Sequence, residues 1–91
     1  MITLRELKDL LNELPTELDN LVVILQEDAE GNGYSPLSGM DDNCTYTPDS
    51  TWSGEVHIYE LTPELMKSGY AEEDAMRWEN SVRALVLFPI N

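Results

Sequence analysis

Basic residues are the scarcest feature of this chain. Five Lys and Arg stand against 18 Asp and Glu, which gives a formal net charge of −13 and a pI of about 4.1. Between Lys8 and Lys67 there is no Lys or Arg at all. A surface so short of cations cannot neutralise phosphates, so direct nucleic-acid binding and adhesion to an anionic membrane are excluded. Cys44 is the single cysteine, which rules out an intrachain disulfide and a multi-cysteine zinc site and suits a reducing compartment. His57 is the single histidine, and neither it nor Cys44 stands in a nucleophile motif, so the chain reads as non-enzymatic, without cofactor or metal centre. No apolar run approaches the ~20 residues of a membrane span. The N-terminus also lacks the basic-then-apolar pattern of a secretory leader. A cytoplasmic location is expected.

Against these absences, 42% of the residues are hydrophobic, enough for an ordinary core, so the charge does not imply disorder. At 91 residues the chain is one domain, spanning 1–91. Leu21 to Leu25 form a wholly apolar run bounded by polar residues. This pattern predicts a central strand buried on both faces. At the N-terminus, Thr3 and Glu6 form a capping-box pattern, Ile2 and Leu7 a hydrophobic staple, and Pro15 a stop. Leu4, Leu7, Leu10, Leu11 and Leu14 make one stripe between them, which predicts an amphipathic helix with its leucines in the core.

The long stretch from Glu27 to Gly54 is rich in Gly, Ser, Pro, Asp and Asn. It reads as an ordered excursion over the sheet, with a short strand near Cys44 to Thr47. Glu55 to Leu61 alternates and predicts a strand with Val56, Ile58 and Glu60 on one side and His57, Tyr59 and Leu61 on the other. Thr62, Pro63 and Glu64 supply an N-cap, a proline at the first helical position and an acid in the first turn. A short helix should run from there to Gly69, with a further helical turn within Ala71 to Glu79 that directs Ala75, Met76 and Trp78 inward. Val82 to Ile90 closes the chain as an apolar strand, and Pro89 places its last residues at an edge or beyond the ladder. The expected fold is α+β: an N-terminal helix packed on a small antiparallel sheet of three to four strands, with one or two short helices before the last strand.

The acids offer two chemistries. Asp28, Glu30, Asn32 and Gly33 match the first half of a calcium loop, but Pro36 and Gly39 occupy the ninth and twelfth positions, where further oxygen ligands belong. The broader tract suggests recognition of opposite charge. Glu27, Asp28, Glu30, Asp41, Asp42, Asp49, Glu55 and Glu60 lie where no base neutralises them. Tyr34, Tyr46 and Trp52 are interleaved as apolar anchors. Carboxylates so displayed can occupy the basic groove of a nucleic-acid-handling protein in place of phosphates.

The segments DAEGNGYSPL (Asp28 to Leu37), TWSGEV (Thr51 to Val56) and ALVLFPIN (Ala84 to Asn91) resemble small acidic proteins, mostly uncharacterised, encoded by tailed bacteriophages. The resemblance implies a phage product made in the cytoplasm of a bacterial host. In size and charge the chain is also similar to phage-borne nucleic-acid mimics that inhibit uracil-DNA glycosylase, restriction enzymes or CRISPR complexes. It lacks the Glu-Ser-Ile strand motif of the glycosylase inhibitor. The expected function is inhibition of a basic DNA- or RNA-handling protein. The alternatives are a self-associating structural or accessory module, forming a homo-oligomer through Tyr34, Trp52 and Tyr59, and a calcium-binding acidic loop.

Overall fold

The computed structural model describes residues 1–26 and 33–90. The calcium-loop reading of Asp28 to Gly33, apart from Gly33 itself, lies outside the described residues, as do Glu27, Asp28 and Glu30. Helix α1 (Leu4–Glu13) begins as its sequence dictates. The Glu6 amide donates to the Thr3 hydroxyl at 3.2 Å, and the Thr3 amide donates back to the Glu6 carboxylate at 3.4 Å. This satisfies donors that the first turn leaves free. The leucine stripe is not core, however: Leu7 and Leu14 are half-buried, while Leu4, Leu10 and Leu11 are exposed. The helix meets the sheet chiefly at its C-terminal end, where Leu11, Leu14, Leu18 and Leu21 line a cavity of about 220 Å³ with Val23 and Leu85. Its first two turns therefore extend past the apolar surface that would bury them.

Four strands form one sheet: β1 (Val22–Leu25), β2 (Leu37–Pro48), β3 (Gly54–Ile58) and β4 (Val82–Pro89), in the order β1-β4-β2-β3. The sheet is mixed. β4 pairs antiparallel with β2 but parallel with β1, so the expectation of a purely antiparallel sheet holds only for β2, β3 and β4. The expected roles of the two apolar runs are also exchanged. β1 is an edge strand, and β4 is the inner one, with Ala84, Leu85 and Val86 buried and Ala84 at 0% exposure. A continuous apolar run is compatible with burial but does not decide which strand is flanked on both sides. Pro89 fits an inner strand because it sits at the very end of β4, opposite Leu37.

The predicted short strand near Cys44 is the C-terminal half of a 12-residue strand. Two register irregularities, between Leu37 and Gly39 and between Asp41 and Cys44, accommodate its unpromising composition. The paired residues define two faces. Val22, Ile24, Val82, Ala84, Val86, Cys44, Tyr46, Val56 and Ile58 share the front; Val23, Leu25, Leu85, Leu87, Met40, Thr45, Thr47, Arg83, Glu55 and His57 share the back. The front is only partly closed, since Val22, Val56 and Val82 remain exposed.

β2 and β3 are joined through Asp49 to Ser53. There the Asp49 and Ser50 amides both donate to the Ser53 carbonyl, and the Ser53 hydroxyl donates to the Asp49 carboxylate at 2.7 Å. Beyond β3, Thr62 caps helix α2 (Pro63–Lys67) by accepting from the Leu65 amide. Gly69 follows at φ +97, a left-handed position that other residues adopt only with strain. A 3-10 turn over Glu72–Ala75 then contacts β3. Of the residues expected inward from this segment, Ala75 is half-buried, whereas Met76 and Trp78 are exposed.

At Gly54 the Tyr46 ring packs where a side chain would stand: a Cβ there would lie 2.5 Å from both that ring and the Thr47 carbonyl oxygen. Gly54→Ala is expected to destabilise the protein by about 1–3 kcal/mol, as overpacking does. Urea unfolding checks this as a lowered midpoint at constant slope; an unchanged midpoint would mean that the Tyr46 ring and the Thr47 backbone both give way freely.

Candidate functional site

The described acids among those singled out from the sequence fall into two groups at opposite ends of the β2–β3 hairpin. At one end the β2 irregularity displays Asp41 and Asp42, with the Asp41 carboxylate accepting the Asn43 amide at 2.9 Å. The Asn43 side chain donates to the Glu60 carbonyl and accepts from the Glu60 amide, both at 2.9 Å, which draws Glu60 to the same end. Asp49 and Glu55 stand at the other end with Trp52. Asp42 and Asp49 are seven positions apart, or roughly 23 Å at ~3.3 Å per step. The described acids therefore form two displays instead of one face.

The anchors differ among themselves. Trp52 is 82% exposed at the hairpin turn, and Tyr34 is fully exposed beside Pro36 and Leu87. Tyr46 is half-buried and packs over Gly54. Trp52, Val56, Tyr46 and Val86 line an open groove of about 700 Å³ together with Ile24 and Leu25 of β1. The most exposed tryptophan thus overlooks apolar sheet surface rather than acids alone.

Few of the charges are neutralised locally. Among the described residues the one contact between oppositely chargeable side chains is His57 Nε2 to Glu55 Oε2 at 4.0 Å, which is ionic only when His57 is protonated. Two of the three arginines turn to an aromatic instead. The guanidinium carbons of Arg77 and Arg83 each lie 4.2 Å from the centroid of the Tyr59 ring, and Arg77 also donates to the Tyr59 carbonyl. The face of a π-system attracts cations, so Tyr59 holds both charges on the back of the sheet without a carboxylate. Beside it, His57 packs on Trp78 with ring centroids 4.8 Å apart. This cluster carried no recognisable sequence signal, because its members span three separate segments of the chain.

The same back face contains a polar row. Arg83, Thr45 and His57 are register neighbours on β4, β2 and β3, and their Nε, Oγ1 and Nδ1 atoms are buried with no hydrogen-bond partner among the described residues. Thr45 is 2% exposed. Neither this row nor the acid groups gathers the parts of a nucleophilic site. Among the described residues no group of three or more His, Cys, Asp and Glu is placed to hold a metal ion, and no helix is long and apolar enough to cross a membrane.

Cys44, buried on the front face, has its thiol pushed up from 9.0 to about 12. Burial is the main cause, helped by the Asp41 charge, a hydrogen bond with the Asp41 side chain and the Asp42 charge, all of which oppose a thiolate. Folding therefore retains a proton that the unfolded thiol releases. The associated stability is complete below pH 9 and is lost progressively as pH rises towards 12. Denaturant melts across that range are expected to show the decline, and Cys44→Ala to flatten it. Native protein at pH 8 should also resist alkylation by iodoacetamide until unfolded; rapid native alkylation would contradict the burial. Comparison of the chain with protein families, curated proteins and solved structures returns no match.

Proposed function

We propose that this protein is a non-enzymatic inhibitor, of phage origin and acting in a bacterial host, that binds a basic nucleic-acid-handling protein by presenting carboxylates in place of phosphates. The observation that carries the reading is the absence of any Lys or Arg ion pair with a carboxylate among the described residues. Ordinary acidic proteins intersperse the two signs, because like-charge repulsion opposes the compact state. Here Asp41, Asp42 and Glu60 at one end of the hairpin, and Asp49 and Glu55 at the other, keep their fields directed outwards. Two arginines that might have quenched them rest on Tyr59. A basic partner gains the whole of that unquenched field on approach, which raises the association rate most at low salt.

Trp52 supplies the other ingredient of a stable contact. It is a large apolar side chain beside Asp49, able to be desolvated at the centre of an interface. The exposed front valines also favour the self-association reading, but each added copy brings another −13 of charge. That opposition makes the basic partner the better reading.

The test is capture from bacterial lysate on the immobilised protein, with DNA as competitor and salt varied. One nucleic-acid enzyme, retained and displaced by DNA, is expected. The double reversal Asp41→Lys with Asp42→Lys should weaken its binding about tenfold or more at low salt and less at moderate salt. Trp52→Ala should cost about 2 kcal/mol or more at either salt. A stable homo-oligomer that retains nothing specific would overturn the proposal.

A further inference from the structure

We propose that the outer edge of β1 is where the basic partner docks, receiving an extended segment as a fifth strand of the sheet. This rests on the basic-partner reading above and specifies its geometry. The Gln26 amide donates to the Leu87 carbonyl at 2.9 Å, so the backbone of alternate residues, Ile24 and Val22, turns towards β4. The N–H and C=O groups of Val23 and Leu25 consequently point away from the sheet, where the strand order of the described residues places no further strand. Among the described residues nothing pairs with these main-chain groups.

The two edges of the sheet are treated differently. β3 is contacted by the turn Glu72–Ala75, and Arg77 reaches the Tyr59 carbonyl just beyond it. β1 is short but otherwise lacks the chemical protections of an edge: its four residues include no Lys, Pro or charge, and its register with β4 is unbroken. Val23 is 59% exposed and Leu25 74%, and Ile24 and Leu25 continue into the groove that Trp52 overlooks. Strand addition here supplies main-chain hydrogen bonds, while alternate side chains of the guest meet apolar surface.

Charge selects the occupant. The nearest charged residues along the sequence on either side of β1 are Asp19 and Glu27, and no Lys or Arg occurs anywhere from Asp9 to Met66. A second copy would bring another apolar strand, but with the same acids and a further −13 of charge. A basic extended segment brings main-chain pairing and neutralisation together. The inferred guest is therefore a strand of three or four alternating apolar residues interleaved with or flanked by Lys and Arg.

Three synthetic decapeptides test this by fluorescence anisotropy: an alternating Val-Lys peptide, the same peptide N-methylated at alternate residues, and decalysine. The alternating peptide is expected to bind at least about tenfold tighter than its methylated form, which has equal charge but cannot complete the ladder. Hydrogen exchange at the Val23 and Leu25 amides should slow when it binds. Leu25→Pro, which removes one outward amide, should erase the tenfold difference and leave decalysine binding intact. The comparison of peptides on the unaltered protein stands even if that variant unfolds. Equal binding of parent and methylated peptides, with decalysine also bound, would overturn strand addition and leave the basic-partner reading in place; failure of all three would overturn both. A dimer in sedimentation that Leu25→Lys dissociates would assign the edge to a second copy and overturn the basic occupant.

Discussion

The fold depends on the insertion of β4 between β1 and β2. That strand arrives last in sequence and takes the only position in the sheet with a parallel neighbour on one side and an antiparallel one on the other. Its Ala84, Leu85 and Val86 are most of the buried hydrophobic core, joined by Cys44 from β2. Burial so concentrated explains why so many large apolar residues elsewhere stay exposed. The core is narrow, centred on the register pair Cys44 and Ala84, and the helices contribute no buried residue to it.

Electrostatics follow from that thinness. In a protein with a deep core, arginines and carboxylates commonly meet over the rim, where an exposed pair contributes little. Here the two arginines near the sheet stack on Tyr59, and Asp41, Asp42 and Asp49 stand where the hairpin is irregular or turning. Irregular backbone displays short polar side chains readily, because Asp and Asn accept from nearby amides, as Asp41 does from Asn43. Asp41, Asp42 and Asp49 thus stand where strand pairing is interrupted or ends.

Local signals are the most legible part of the sequence. The Thr3 and Thr62 caps, the stop at Pro15, the alternation of Val56 and Ile58 against His57, and the last strand all act within a few residues, and the structure contains each of them. What escaped were properties set by distant partners. Leu21 to Leu25 has the composition of an inner strand, yet its neighbour on one side only is decided by a segment some sixty positions away. The sequence marks a strand only near Cys44 to Thr47, since Gly39, Asp41, Asp42 and Asn43 disfavour strands individually; two register shifts accommodate them in the longer β2. The leucine stripe of α1 announced a helix correctly, but periodicity carries no information on how much sheet lies beneath it. As for the candidate site, composition identified the acids but not their division between two ends of a hairpin, and three of them lie outside the described residues.

The parallel ladder between β1 and β4 has a consequence for how the protein is made. Val22 pairs with Ala84, 62 positions later, and the residues between include every other strand. Contacts of such long range are slow to form, because the closure entropy of the intervening chain is incurred before they are gained. During synthesis β1 emerges before β4 and has no ladder partner among the described strands until Val82–Pro89 has left the ribosome. Over that interval the nascent chain presents an unpaired VVIL segment, and its dense negative charge becomes a safeguard against premature association.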